Sequence, residues 1–102
     1  MKRIFLVCGS GASSGFMAAA IRKFAKKKGE EVSVKASSES QLSSVVDQID
    51  YLLIGPHLAY KEEELKKQCE AHNVKVAVIP QMIYGSLNGE KALELVHNMD
   101  EV

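Results

Sequence analysis

Residues Ile4 to Gly15 read "IFLVCGSGASSG". An apolar run of β-branched and aromatic residues closes on Cys8, and the next seven residues are all glycine, alanine or serine. A short run without polar alternation reads as a strand buried on both faces, the habit of parallel sheets. Beyond the small residues, Met17, Ala20, Ile21 and Phe24 recur at i, i+3, i+4 and i+7, with cations on the opposite side, so a helix follows from Ser13. Gly29 closes it at the C′ position. Strand, small-residue loop and helix form the first half of a βαβ unit.

The alternation continues outward from this stretch. Residues 31–36 (EVSVKA) alternate as a half-buried strand. A short helix over 40–49, capped by Ser37 or Ser38, comes next. Residues 50–54 (DYLLI) form a third strand ended by Gly55-Pro56, and Pro56 opens a helix that runs to about Ala71. Residues 74–79 (VKVAVI) are a fourth strand, and 88–99 a final helix. Strands separated by helices of this length imply right-handed crossovers and a parallel sheet. The expected fold is therefore α/β: a small, four-stranded, doubly wound open sandwich in the order 2-1-3-4, one domain over residues 1–102. Ligands of such sheets bind beyond the carboxyl ends of the strands, at the switch point beside strand 1. Cys8 lies at that end.

Composition narrows the function. Thirteen basic and thirteen acidic residues cancel, which gives no reason to expect nucleic acid as a partner. No apolar run approaches the roughly 18 residues of a membrane span, and the apolar part of "MKRIFLVCGSG" is short for a secretory signal. The expectation is a cytoplasmic protein without direct membrane insertion. Cys8 and Cys69 stand 61 positions apart, so a disulfide is not expected. Without CxxC or HxxxH spacing, and with His57, His72 and His97 scattered, no metal is expected. Seven of the thirteen basic residues fall in the first 28 positions. Arg22, Lys23, Lys26, Lys27 and Lys28 suit a helix C-terminus, where cations favour the dipole; the alternative is a patch for an acidic partner.

Small residues running into a helix N-terminus suit an anion. The first helical N–H groups lack internal partners, the dipole presents positive charge, and glycines let the backbone close around a phosphate. Gly9, Ser10, Gly11, Ala12, Ser13, Ser14 and Gly15 are the candidate phosphate-binding residues. The same surroundings lower a thiol's pKa, which makes Cys8 a candidate nucleophile; the plain alternative is a core residue at the end of a strand. Thiol redox chemistry calls for a second cysteine at position 11, which is glycine. Low-molecular-weight cysteine-dependent phosphatases carry C-x5-R, and here the sixth residue after Cys8 is Ser14. A loop that accepts a phosphoryl group yet lacks the arginine and a general acid suits a carrier better than a hydrolase.

At the level of whole motifs, "IFLVCGSGASSGFMAAAIRK", "DYLLIGPHLAY" and "IPQMIYGSLNGEKALELV" resemble the lactose/cellobiose-type IIB component of the bacterial phosphoenolpyruvate-dependent sugar phosphotransferase system. The likeness spans essentially the full chain. It implies that Cys8 takes a phosphoryl group from a phosphohistidine on a IIA protein and passes it to a sugar held by a membrane IIC permease. It implies no cofactor, and a monomer suffices. His57, Tyr60 and Tyr84 fall on the implied partner surface, with Gly55–Tyr60 and Gln81–Gly85 as its rim; for each tyrosine an amphipathic packing role is the equal alternative. The family commonly carries Gln where this chain has His57, which opens the alternatives of a phosphate-contacting imidazole and a plain helix-start residue. The runner-up function is the phosphatase, and a third is a non-catalytic interaction module. Cys69, in register with Leu58 and Leu65, reads as a buried inert thiol. Met82 and Met99 read as core fillers, "KEEELKK" (61–67) as a solvated helix face, His72 as a helix C-terminal residue and His97 as a residue of the last helix.

Overall fold

The computed structural model describes residues 2–7 and 11–100, the side chains of 11–14 and 100 excepted. Four parallel strands, β1 (Lys2–Val7), β2 (Val32–Ser37), β3 (Tyr51–Ile54) and β4 (Lys75–Val78), form a single sheet in the order β2-β1-β3-β4. The helices are α1 (Gly11–Lys27), α2 (Leu42–Val45), α3 (Glu62–Glu70), α4 (Gln81–Gly85) and α5 (Gly89–Asp100). Ile4 pairs with both Val34 and Tyr51, so β1 is interior.

The alternation of strand side chains divides the core in two. Ile4, Leu6 and Leu53 face α1 and α5, where they meet Met17, Ile21, Ala25, Leu93 and Val96. Phe5, Val7, Leu52 and Ile54 face the other way and pack with Leu42, Leu58, Leu65 and Cys69. Both faces of β1 and β3 are covered, which explains their unbroken apolar sequence.

The ends of α1 follow from local chemistry. Gly29 takes φ +74°. It donates to the Lys26 carbonyl at 3.1 Å while Glu30 N–H donates to Ala25 at 2.8 Å, a left-handed cap that uses up the last carbonyls. Asn73 (φ 58°) and Leu87 (φ 52°) make the same turn after α3 and α4. Asn88 caps α5, its Oδ1 accepting from the Lys91 N–H at 3.1 Å.

Three expectations need correction. The helix expected over 40–49 is only the four-residue α2, flanked by 3-10 turns at Glu39–Gln41 and Val46–Gln48. Serines and β-branched residues are weak helix formers, and the Ser44 hydroxyl donates to the Gln41 carbonyl at 2.8 Å. Pro56 opens a 3-10 segment, Pro56–Lys61, rather than an α-helix; its irregular residue Leu58 (φ −110°, ψ 18°) turns inward onto the second core. A helix absent from the expectation, α4, follows Pro80, whose carbonyl accepts from Ile83 and Tyr84 N–H, each at 3.0 Å.

Candidate functional site

A parallel sheet sends all its carboxyl ends to one edge, and backbone bonds hold these ends in step. Gly55 N–H donates to the Val7 carbonyl at 2.8 Å, and Ile79 N–H donates to the Ile54 carbonyl at 2.8 Å. The last residue of β1, the Gly55-Pro56 turn and the Ile79-Pro80 turn are therefore neighbours. Val7, the last described residue of β1, stands at the middle of this edge, between β2 and β3. Cys8, Gly9 and Ser10 lie outside the described residues.

Helix α1 begins at Gly11, two residues earlier than the sequence pattern placed it, because glycine, alanine and serine are all compatible with a first helical turn. Gly11, Ala12, Ser13, Ser14 and Gly15 are accordingly helix rather than loop. The consequence favours anion binding: the N–H groups of the first turn have no intrahelical acceptor, and no acidic residue in that turn neutralises the positive end of the dipole. The helix runs 17 residues, long enough for its dipole to be fully developed at the terminus.

The other predicted residues separate by environment. His57 is exposed on the turn after β3, its ring set T-shaped against Tyr84 with centroids 5.4 Å apart and planes at 72°. Tyr84 is only 4% exposed. α4 turns it into the core beside Ile79, so the ring supports the edge from beneath instead of lining it. Tyr60 is 78% exposed on the Pro56–Lys61 turn. That turn is anchored by Lys61, which donates to Glu39 at 2.5 Å, while Glu39 in return holds the Lys61 ammonium pKa up.

Two residues escaped the sequence reading. Met82, expected in the core, is 87% exposed on α4, and Phe16 is 66% exposed in the second turn of α1. Both lie on elements that leave the carboxyl edge. Phe16 was legible: it falls one position off the Met17, Ala20, Ile21 and Phe24 stripe. Met82 was not, since a five-residue helix shows no periodicity. Cys69 is fully buried in the second core, and burial pushes its thiol pKa up, which keeps it protonated and inert.

The chain matches the family model for the lactose/cellobiose-specific IIB subunit of the phosphotransferase system over residues 3–95. The chain belongs to this IIB family. It is 34% identical over 94 residues to the oligo-beta-mannoside-specific EIIB component of Bacillus subtilis, a match covering 92% of this chain and 91% of that one. It is 28% identical to the galactose-specific EIIB component of Lactococcus lactis, covering 96% and 95%. A lactose-specific EIICB component of Lacticaseibacillus casei is 26% identical over 93% of this chain, and there the match occupies 17% of a longer polypeptide. Among solved structures, a cellobiose-specific IIB protein of Borrelia burgdorferi superposes with TM-score 0.78 at 34% identity, covering 96% of this chain and 90% of that one. The lactose-specific IIB domain of Streptococcus pneumoniae superposes at 0.87 with 19% identity and 96% coverage of both, a likeness of fold. IIB components serve sugar uptake as phosphotransferase domains, and among the described residues no helix is long and apolar enough to cross a membrane.

Proposed function

We propose that this IIB chain is a phosphocysteine carrier and that Cys8 is the residue that carries the phosphoryl group. The supporting observation is the position of Val7: it ends an interior strand at the carboxyl edge, tied to Gly55, and the next residue is a cysteine followed after two positions by the uncompensated N-terminus of α1. In the forward step the Cys8 thiolate attacks the phosphorus of a phosphohistidine on a IIA protein. An S–P bond forms as the P–N bond breaks, and the departing imidazole takes back the electron pair and then a proton. In the second step a sugar hydroxyl, held by a membrane IIC permease, attacks the same phosphorus. The cysteine leaves as thiolate, and the hydroxyl proton passes to a base or to water.

Amide groups at the start of α1, with the hydroxyls of Ser10, Ser13 and Ser14, supply donors to the equatorial oxygens. Phosphoryl transfer needs little else from the protein than position and charge stabilisation. Donor and acceptor both bring their groups protein-bound, so the reaction proceeds without a nucleotide. The exposed Phe16, Tyr60 and Met82, with His57, form the surface met in turn by IIA and IIC, and the chain works as a monomeric cytoplasmic unit. Phosphorus-31 NMR of the protein charged with phosphoenolpyruvate, the two general phosphotransfer proteins and a cellobiose-class IIA tests the chemistry. A single S-linked phosphoryl resonance is expected. An N-linked resonance, or steady release of inorganic phosphate at enzymatic rates, would overturn the assignment.

A further inference from the structure

The chain holds three asparagines, and only Asn88 is followed by glycine. An asparagine in that setting is open to attack by the next backbone nitrogen, because glycine has no side chain to shield the carboxamide and leaves the backbone free to turn. Asn73 precedes Val74 and Asn98 precedes Met99, whose side chains hinder the same approach. The Asn88-Gly89 pair stands at the junction of α4 and α5, and each residue is there for a separate structural reason. Asn88 caps α5, its Oδ1 accepting from the Lys91 N–H at 3.1 Å. Gly89 leaves room for α1: a Cβ there would lie 2.2 Å from the Ala20 carbonyl oxygen. Cap and close approach together put a chemically labile dipeptide at a packed joint.

The folded joint restrains the reacting groups. Ring closure needs the Asn88 side chain to bring Cγ onto the Gly89 nitrogen, with the Gly89 peptide rotated to meet it. Four contacts oppose those rotations. Oδ1 is engaged by Lys91, the Asn88 carbonyl accepts from the Ala92 N–H at 3.1 Å, and the Asn88 N–H donates to the Ile83 carbonyl at 3.0 Å. Gly89 itself is buried against α1. The Lys91 and Ala92 bonds and the Gly89 contact are lost together if the first turn of α5 leaves α1. Leu87, immediately before the pair, holds a left-handed backbone (φ 52°), a strain that release of the turn relieves.

We propose that Asn88 is a conformationally gated deamidation site, closed while α5 is docked on α1 and converted when that joint opens. In the open form the Gly89 nitrogen gives its proton to solvent base and attacks Asn88 Cγ. An N–C bond forms as the Cγ–Nδ2 bond breaks, and Nδ2 leaves as ammonia with a proton from water. Water then opens the cyclic imide at either carbonyl. Cleavage between Cγ and nitrogen leaves an ordinary aspartate; cleavage between the main-chain carbon and nitrogen leaves an isoaspartyl link through Cγ. The net reaction turns an amide and water into a carboxylate and ammonium. The aspartate still caps α5, and its charge suits the helix dipole. The isoaspartyl link adds a methylene to the main chain and shifts Gly89 from its place against Ala20, so α5 no longer docks as before. Opening of the joint is thereby recorded irreversibly in the isomer that forms.

The test incubates wild type in mildly alkaline buffer, once folded and once in urea above its unfolding midpoint, and follows each asparagine by peptide mass. In urea Asn88 should convert faster than Asn73 and Asn98. In the folded protein its rate should be at least about tenfold lower, since opening forfeits a helix cap and the packing beside it. Leu93→Ala removes a buried side chain of α5 without touching the Asn-Gly pair, and should raise the folded-state rate several-fold. The isoaspartyl product, separated chromatographically and refolded, should unfold at lower urea than wild type, whereas Asn88→Asp should not. Equal Asn88 rates in folded and unfolded protein would remove the gate. An Asn88 rate in urea no faster than that of Asn73 would remove the site, and an isoaspartyl product with the wild-type midpoint would remove the consequence. Any one of these three results overturns the proposal.

Discussion

Replacing Gly89 by alanine puts a methyl group where the backbone of α1 already lies. A Cβ built on Gly89 would sit 2.2 Å from the Ala20 carbonyl oxygen, 2.5 Å from its carbon and 3.0 Å from the Ile21 nitrogen. All three atoms are main chain, so no rotamer change relieves the clash. The N-terminus of α5 must move away from α1 by about 1 Å to reach ordinary contact, in an interior packed as densely as a crystal. That shift loosens the contacts of Ile21, Ala25, Ala92, Leu93 and Val96, all of them buried between the two helices and the sheet. Overpacking of this kind costs about 1–3 kcal/mol, and here it falls on backbone, at the upper end. Alanine's helix preference returns less than about 1 kcal/mol at a first-turn position. The net expectation is a loss of about 2–3 kcal/mol. With a urea slope of about 1.5 kcal/mol/M for a domain of this size, the unfolding midpoint should fall by roughly 1.3–2 M with the slope unchanged. A Gly89→Ala variant with a midpoint within about 0.3 M of wild type would refute this packing of α5 on α1.

Other substitutions probe separate parts of the fold. Cys69→Ser buries a hydroxyl among apolar side chains and should cost about 1–3 kcal/mol in urea melts, with phosphoryl uptake retained. Because burial raises the Cys69 thiol pKa, the folded state prefers the protonated form. Stability should therefore be full below the ordinary thiol pKa of about 8.5 and decline as pH rises above it, a decline absent from Cys69→Ala. Asp50 accepts from the Arg3 backbone N–H at 3.0 Å and from its guanidinium at 3.2 and 3.0 Å, which holds the carboxyl below the usual range. That contribution is present above the unfolded Asp pKa and lost as pH falls through the folded one, so Asp50→Asn should flatten the acid side of the thermal stability profile. An unchanged acid limb would count against the pairing. Leu87 holds a left-handed backbone at 39% exposure, and Leu87→Gly should stabilise by about 0.5–1 kcal/mol; a loss of stability would mean its side-chain contacts outweigh the strain.

What the sequence revealed followed from signals with long reach. The unbroken apolar runs of β1 and β3 marked strands covered on both faces, and regular alternation with helices led to the order 2-1-3-4. Gly29 marked the end of α1 because its left-handed cap is written in one residue. What escaped was set by tertiary contacts or by elements too short for periodicity. The segment 39–48 has only Leu42 and Val46 buried, which cannot hold a continuous helix of serines. Leu58 breaks its helix to reach a core made by residues far along the chain. The need for glycine at 89 depends on Ala20, sixty-nine positions away, and no local pattern reports it. At the site, the end of β1 was legible because a run of glycine, alanine and serine fills no core and marks where the chain leaves the sheet. The contact of Tyr84 with His57 was not, since the sequence left Tyr84 open between the surface and the packed interior until α4 turns it inward.

The most direct test of the carrier mechanism is an intact mass after incubation with phosphoenolpyruvate, the two general phosphotransfer proteins and a cellobiose-class IIA. A gain of one phosphoryl group in wild type and in Cys69→Ser, absent in Cys8→Ser, is the predicted result. No gain in wild type, or a gain that survives Cys8→Ser, would contradict it.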